Sequence, residues 1–405
     1  MAKFPIEYFF ATNFKEFDPK GMLEEAAMTG LAIGPVRGET KIYGVKLDFN
    51  NGVRVEVPKG NFRLRISDDD TGDVFYDSRV SEKIVVSYEK YFVRWKIELY
   101  KKRKPVLVHV FDPTKRRVHF VFTSMALGDT LVFLPYVREF QKIYDCPVSY
   151  YVPEHLRELC HEFYPDIEIR EELCPDTYAT FYFSAGIEHP GRLPIDRRIM
   201  PMEDFGRVIL RLAHRPGRLM WRENERVIKE PYVCIAVQAS MLEKCWLHDG
   251  GWDEVVAHLK GMGYRVICID QHRVRENGGL RAAMPEGAED MTGDRPLVER
   301  ADMLSHADFF IGLPSGLAWL ADAVRCPVVL IGGFSYFWYE FATPYRVYNR
   351  LACTGCFNDT RCDYQRGSCP RHGKDSEHYL ECSYLITPFM VNEAIDRLIH
   401  DRKMG

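Results

Sequence analysis

Hydrophobic and polar residues alternate with a period of two in the first part of the chain. The alternation is clearest in the segments KIYGVKLDF, VRVEVP, NFRLRISD, DVFYDSRV and FVRWKIELY, which are separated by turns rich in Asn, Gly and Asp. Such alternation is typical of antiparallel strands that bury one face. It predicts a β-rich domain over residues 1–104, folded as a small sandwich or barrel. No catalytic group of residues stands out in it, so we expect a role in assembly or partner recognition.

The pattern changes at Pro105 to short, continuous apolar runs that alternate with segments of helical spacing. Buried parallel strands joined by helices produce this pattern. It predicts one α/β half over 105–228, which opens with the strands VLVHVF and VHFVF, and a second over 229–405, which opens with YVCIAVQ. Two such halves would face each other across a crevice at the carboxyl ends of their sheets, where ligands bind in this class of fold.

One strand-turn-helix-strand unit in the second half offers a site for phosphate. Its sequence, DFFIGLPSGLAWLADAVRCPVVLIGG, runs from Asp308 to Gly333 and is typical of a parallel crossover. The turn residues are Pro314, Ser315, Gly316 and Leu317. They would place backbone N–H groups at a helix N-terminus, which attracts anions. A crossover turn that binds nothing is the alternative.

Two further turns carry polar residues just beyond predicted strands. In the first half, Gly128, Asp129 and Thr130 follow VHFVF and open a helix. There Asp129 could face the crevice, or it could cap the helix, a role in which Asp is common and which the spacing alone favours. In the second half, the segment QASMLEKCW holds Gln238, Lys244 and Trp246. A lysine at this place could offset the charge of a diphosphate, although a lone loop lysine is more often solvated.

Composition narrows the classes of function. With 46% hydrophobic and 13% aromatic residues, the 405-residue chain can fill more than one core. A net charge of −4 argues against general binding to nucleic acid or membranes. No apolar run approaches the roughly 20 residues of a membrane helix, and the first residues do not resemble a secretion signal. We therefore expect a cytoplasmic protein. We interpret the basic clusters at 101–104 and 115–117 as a solvated sheet edge that blunts strand pairing, with a ligand site as the alternative.

Five of the twelve cysteines crowd into one segment, which predicts a metal site. Cys353 and Cys356 form a Cys-x2-Cys pair, the usual half of a tetrahedral thiolate site. Twelve residues lie between Cys356 and Cys369 and twelve between Cys369 and Cys382, so these two are the expected remaining ligands, with Cys362 able to replace Cys369. On ligand chemistry zinc is favoured. Four protein thiolates leave no open position, so the role should be structural.

Three of these motifs, in the same order, resemble those of bacterial heptosyltransferases. They are Gly128-Asp129 with Pro135, Lys244-x-Trp246 with Trp252, and Pro314-Ser315-Gly316-Leu317 with Ala318 and Ala321. The resemblance covers about residues 118–333. It implies a glycosyltransferase B fold of two Rossmann-like domains and ADP-heptose as donor. The chain departs from the lipopolysaccharide enzymes at Trp319, where they carry histidine.

The β-rich domain and the cysteine segment resemble additions seen in the autotransporter heptosyltransferases. That resemblance implies an inverting protein O-heptosyltransferase acting on serines of an autotransporter adhesin, a dodecameric homo-oligomeric ring, and iron rather than zinc at the cysteines. It also implies that Asp129 is the general base. The substrate-binding residues would be Gly128, Thr130, Gln238, Lys244, Trp246, Pro314, Ser315, Gly316 and Leu317.

Three other functions stay open from the sequence. The nearest is a heptosyltransferase for the lipopolysaccharide core, which would use the same donor on a lipid acceptor. Another is a non-catalytic nucleotide-binding assembly subunit, in which Asp129 only caps its helix. In an active enzyme whose base is not Asp129, Asp112 is the next carboxylate to consider. A zinc-ribbon-like nucleic-acid binder is disfavoured by the negative net charge.

Overall fold

The computed structural model describes residues 4–10, 35–183, 193–277, 280–362 and 369–404. Its N-terminal part contains two four-stranded sheets. The first has the order β1 (Ile6–Phe9), β6 (Lys83–Ser87), β3 (Arg54–Val57), β2 (Lys46–Asp48). The second has the order β5 (Val74–Val80), β4 (Phe62–Asp68), β7 (Trp95–Lys101), β8 (Lys104–Val110) and is antiparallel throughout. Alternate side chains such as Val55, Leu64 and Ile97 are fully buried, which confirms the predicted β-rich domain.

The predicted strand VLVHVF belongs to this β-rich domain and not to the α/β half. It forms most of β8, which pairs with β7. The two strands meet at Lys102 and Arg103, whose φ angles of 48° and 64° suit a tight two-residue hairpin turn. The basic run at 101–104 is therefore a hairpin turn, and the boundary predicted at 104 lies inside that hairpin. A short apolar run fits either kind of sheet, and the pairing with β7 decides between them.

The first α/β half is a parallel sheet with the order β11 (Glu168–Ile169), β10 (Val148–Tyr151), β9 (Val118–Phe122), β12 (Ala179–Phe183). Its helices are α1 (Leu127–Tyr144), α2 (Arg157–Phe163) and α3 (Phe205–Ile209). In chain order the strands lie third, second, first, fourth, so the winding direction reverses between β9 and β12. The β-rich domain contacts the edge strand β12 through the backbone, since Thr180 N–H donates to the Phe49 carbonyl at 3.0 Å.

The second α/β half is a six-stranded parallel sheet with the order β17 (Glu289–Asp290), β14 (Arg265–Cys268), β13 (Tyr232–Ile235), β18 (Phe309–Gly312), β19 (Val328–Ile331), β20 (Arg346–Val347). Its helices are α4 (Gly251–Gly261), α5 (Leu297–His306), α6 (Gly316–Ala323), α7 (Glu381–Tyr384) and α8 (Pro388–Met404). A hairpin of β15 (Val274–Asn277) and β16 (Leu280–Ala283) lies between β14 and β17.

This strand order is the doubly wound arrangement of a Rossmann-like domain, and its direction reverses between β13 and β18. The segment after β13 carries Lys244, and the segment after β18 carries Ser315. Both motifs therefore leave the sheet at the reversal point, where ligands bind in such sheets. The predicted pair of α/β halves is confirmed. Among the described residues, no helix combines the length and hydrophobicity needed to cross a lipid bilayer.

Candidate functional site

Two glycines allow the halves to approach each other closely. A Cβ atom on Gly128, in α1 of the first half, would lie 2.8 Å from Cδ1 of Trp319 in α6 of the second. A Cβ atom on Gly316 would lie 2.9 Å from Cβ of Leu127. Neither glycine can carry a side chain without displacing its neighbour, so the N-termini of α1 and α6 meet across the crevice. This contact brings the Gly128-Asp129 turn next to the Ser315-Gly316 turn.

The turn after β18 forms an open helix N-terminus. Ser315 is the N-cap residue of α6, and its carbonyl accepts from the N–H groups of Ala318 and Trp319 at 3.1 and 3.3 Å. The first N–H groups of the helix, those of Gly316 and Leu317, have no acceptor among the described residues, as is usual for the first turn. The buried Ser315 hydroxyl oxygen also lacks a hydrogen-bond partner within the described chain. This arrangement can receive an anion.

Lys244 reaches the same turn from the neighbouring loop. It ends the short 3-10 helix Leu242–Lys244, and its Nζ lies 3.5 Å from the Pro314 carbonyl oxygen and 5.3 Å from the Phe334 ring centre. Arg275 in β15 stabilises the loop between β13 and Lys244 by donating hydrogen bonds to the carbonyls of Ala239 and Ser240. The ammonium group is therefore held at the edge of the open helix terminus.

Gln238 and Trp246 have structural contacts of their own. The Gln238 amide donates to the His272 carbonyl at 2.6 Å. The Trp246 indole N–H donates to the Ile386 carbonyl at 2.8 Å, its ring packs on Trp252, and its side chain is 4% exposed. Trp246 also lines a cavity of about 440 Å³. The polar atoms of both side chains hold the loop around Lys244, and their predicted contact with substrate stays a prediction.

A buried carboxyl group that the sequence analysis did not single out supports this loop. Asp270 follows β14 and accepts from the backbone N–H groups of Val237 and Gln238 at 2.7 and 3.2 Å. Burial raises the pKa of Asp270 to about 6, an effect that these N–H donors oppose. The guanidinium of Arg300 binds the carbonyls of Ile269 and Asp270. The only signal in the sequence was an aspartate directly after an apolar strand.

Asp129 does not occupy the cap position of its helix. The N-cap of α1 is Ala126, and Asp129 lies in the first turn, half-buried. Its Oδ2 accepts a hydrogen bond from Ser124 Oγ at 2.6 Å. The competing candidate Asp112 precedes β9, at the opposite end of that strand, and accepts from Thr114 N–H at 2.9 Å. Of these two carboxylates, Asp129 is the one at the crevice. Its predicted neighbour Thr130 is buried, and its hydroxyl has no partner in the described chain.

Two residues from distant parts of the chain complete the surroundings of Asp129. Tyr339, in the segment after β19, is 6% exposed. Burial raises the pKa of its phenol well above the usual value, the Asp129 charge adds to the rise, and Arg197 opposes it. Arg197 itself lies over the Phe357 ring at 5.2 Å. No local pattern in the sequence pointed to either residue.

The four predicted cysteine ligands lie in one cluster. Burial raises the pKa of Cys356 to about 12, and Cys369 and Cys353 add to the rise. Burial likewise raises the pKa of Cys382 to about 12, again with contributions from the other three. Clustered buried thiols resist ionisation unless a cation is bound, and sulfur donors suit iron or zinc. The donor types therefore suit a thiolate metal site, although the donor atoms that the described structure brings within 4.8 Å of one another are those of Cys353, His372 and Glu381.

A second set of donors overlaps this cluster. Ligand atoms of Cys353, His372 and Glu381 lie within 4.8 Å of one another. Glu381 also accepts from the Cys353 N–H at 3.1 Å, so its carboxylate is tied to the Cys-x2-Cys turn. Cys362 is close enough to Cys356 to influence its pKa, but less than Cys369 does. This ranking keeps Cys369 ahead of Cys362 as the third predicted ligand.

Known proteins resemble this chain along most of its length. Two family profiles match it: "Glycosyltransferase TibC, N-terminal domain" over residues 42–103, and "Glycosyltransferase family 9 (heptosyltransferase)" over residues 213–347. The autotransporter heptosyltransferase TibC of Escherichia coli O78:H11 is 40% identical over 365 residues, which cover 87% of this chain and 89% of TibC. The inactive autotransporter heptosyltransferase BimC of Burkholderia thailandensis is 34% identical over 362 residues, 87% of this chain and 85% of BimC.

Solved structures show the same relationship. A crystal structure of TibC from enterotoxigenic E. coli, an iron-containing dodecameric glycosyltransferase, superposes with a TM-score of 0.85 at 36% identity, covering 92% of this chain and 99% of that one. TibC has also been solved in complex with ADP-D-beta-D-heptose, with the same score and identity over 91% and 98% of the chains. The E. coli ADP-heptose lipopolysaccharide heptosyltransferase II shares the fold, with a TM-score of 0.50 at 13% identity over 70% of this chain and 99% of that one.

Proposed function

The chain belongs to the autotransporter heptosyltransferases, and from this membership we propose that it transfers heptose from ADP-heptose to serine hydroxyls of an autotransporter passenger. The single observation that best supports a catalytic rather than a scaffold role is the meeting of the α1 and α6 N-termini. There the turn that carries Asp129 in one half adjoins the open helix N-terminus of the other, as Gly128 and Gly316 permit. A transferase needs both groups at one place.

The donor diphosphate would lie between Lys244 and the start of α6. Lys244 already reaches the Pro314 carbonyl, and the N–H groups of Gly316 and Leu317 have no acceptor among the described residues. These groups can bind the negative charge that grows on ADP as it departs. The Ser315 hydroxyl is a further donor at the same turn.

Asp129 would act as the general base. In the transfer step the acceptor serine oxygen forms a bond to the anomeric carbon while its proton passes to a carboxylate oxygen of Asp129. The bond from the anomeric carbon to the phosphate oxygen breaks, and ADP leaves with the electron pair. Because attack and departure take place on opposite faces of the sugar, the configuration inverts. The proton on Asp129 then returns to water.

The metal proposed for the cysteine segment is iron, as in TibC, with zinc as the alternative. Cys353, Cys356, Cys369 and Cys382 would hold it, and the ion would supply a cross-link to a segment with little secondary structure. Four thiolate ligands leave no position for substrate, so this chain's chemistry is assigned to Asp129 and Lys244.

The proposed assembly follows from the relatives, and the proposed location follows from the cysteines. TibC is dodecameric, and the β-rich domain matches the TibC N-terminal domain profile over residues 42–103. We therefore propose a dodecameric ring of this chain. We place it in the cytoplasm, because all twelve cysteines are free thiols, seven of them outside the cysteine segment, and this suits a reducing compartment.

A non-catalytic role is the second candidate, since the related BimC is described as inactive. Co-expression with an autotransporter passenger, followed by mass spectrometry of that passenger, tests the proposal. We expect heptose on serine residues with the wild-type chain and none with Asp129→Asn. An unmodified passenger, together with purified protein that binds ADP-heptose but does not consume it, would support the second candidate. Transfer only to a lipopolysaccharide core would support the lipid acceptor.

A further inference from the structure

We infer that Ser124 is a positioning residue that orients the carboxylate of Asp129 for proton transfer. This inference rests on the proposed role of Asp129 as general base. Ser124 lies in the loop between β9 and α1, and its hydroxyl oxygen is 2.6 Å from Asp129 Oδ2. It is the hydrogen-bond partner of that carboxylate within the described chain.

The direction of this hydrogen bond follows from a second contact. Ser124 Oγ accepts from the backbone N–H of Ala126 at 3.1 Å. With that N–H directed at its oxygen, the hydroxyl turns its single proton toward Asp129. A charged acceptor strengthens such a bond. Oδ2 is therefore occupied, while Oδ1 has no hydrogen-bond partner in the part of the chain that the structure describes.

The loop that carries Ser124 is fixed from both sides. Thr123, at its start, donates to the Phe183 carbonyl through its N–H and through its hydroxyl, each at 3.1 Å. His155, which follows β10, places Nε2 at 3.1 Å from the Met125 carbonyl oxygen and can donate to it. The end of β12 and the turn after β10, on either side of β9, thus hold the loop, and Ser124 transmits that fixed position to the side chain of Asp129.

A fixed carboxylate matters because the crevice offers Asp129 other orientations. Tyr339 lies close enough to Asp129 for the carboxylate charge to raise the pKa of its phenol. Without the Ser124 hydroxyl the carboxylate could rotate toward this phenol and away from the acceptor. General-base transfer needs the reacting oxygen within hydrogen-bond reach of the proton it removes, so misorientation lowers kcat while donor binding is unaffected.

The test compares three variants in heptose transfer to a passenger. Ser124→Ala removes the hydroxyl and should lower kcat about 10-fold or more, with KM for ADP-heptose and affinity for ADP unchanged. Ser124→Thr keeps a hydroxyl and should restore most of the rate. Thr71→Val is the matched control, because it also removes a hydroxyl that donates to a carboxylate, that of Asp73 at 2.8 Å, but in an exposed turn of the β-rich domain, and it should behave like wild type.

The inference is overturned if Ser124→Ala keeps kcat within twofold of wild type. It is also overturned if Ser124→Thr is as slow as Ser124→Ala, which would indicate general damage to the loop, or if Thr71→Val loses as much activity, which would show that the loss does not depend on Asp129. These outcomes are separate from failure of the proposed function. Full transfer by Asp129→Asn would show that Asp129 is not the base. An inactive Asp129→Asn together with a fully active Ser124→Ala would rule out only the role of Ser124.

Discussion

Replacing Lys244 by alanine should weaken ADP binding about 30-fold. The half-buried Nζ lies 3.5 Å from the Pro314 carbonyl, at the edge of the turn proposed to receive the diphosphate. A charge-assisted contact in a partly desolvated site contributes about 2 kcal/mol, which corresponds to this factor. Isothermal titration of ADP against the assembled protein measures it directly. Since Lys244 would contact phosphate and not the nucleoside, adenosine should bind both proteins equally.

Lys260→Ala provides a matched control for Lys244. Lys260 also belongs to the second half and donates to a backbone carbonyl, that of Gly287 at 3.2 Å, but from the exposed surface of α4. Its removal should leave ADP binding unchanged. The reasoning is refuted if Lys244→Ala binds ADP like wild type. It is equally refuted if adenosine binding falls as much as ADP binding, because the lysine would then support the loop and not the diphosphate.

Three further changes address the base, the metal and a buried carboxyl group. Asp129→Asn should lower kcat about 10²–10⁴-fold without changing ADP affinity. Titration with ADP measures the affinity and single-turnover kinetics measure the rate, and a variant that keeps its rate would show that the base is elsewhere. Cys356→Ser should lose the bound metal and lower the Tm, whereas Cys146→Ser, a buried thiol outside the segment, should keep the metal; elemental analysis of both decides. Burial raises the Asp270 pKa from 3.8 to about 6, so this group favours folding most below about pH 4 and loses that contribution as the pH rises through 6. The free energy of unfolding of wild type minus that of Asp270→Asn should fall by up to about 3 kcal/mol between pH 4 and pH 7, and a flat difference would contradict the assignment.

The features that the sequence predicted well are those set by local pattern. Continuous apolar runs identified the parallel strands, and the segment that follows such a run leaves the sheet at its carboxyl edge. For this reason the sequence alone predicts that Asp129, Lys244 and Ser315 lie at the crevice. Their chemical roles stay predictions, because position at an edge does not determine what a side chain binds.

What the sequence did not reveal depends on contacts between distant segments. Tyr339 approaches Asp129 only because the two halves dock. Arg197, in the same half as Asp129, lies near Tyr339, and no spacing rule connects residues so far apart. The strand β8 was placed in the wrong sheet because its apolar run suits either environment, and its pairing with β7 is a matter of tertiary structure. Trp246 belongs to a recognisable motif, yet only coordinates show that its indole N–H is taken by the Ile386 carbonyl.

The cysteine segment is connected to the candidate active site by specific contacts. The side chain of Asn358 donates to the Arg198 carbonyl at 2.8 Å and accepts from the Tyr336 N–H at 2.8 Å. The neighbouring Phe357 ring lies under Arg197, which influences Tyr339 beside Asp129. An ion bound at Cys356 would therefore also fix one wall of the crevice. A metal with no position for substrate would in this way support transfer through the geometry of the first half, while the proton and the leaving group would be handled by side chains, as proposed above.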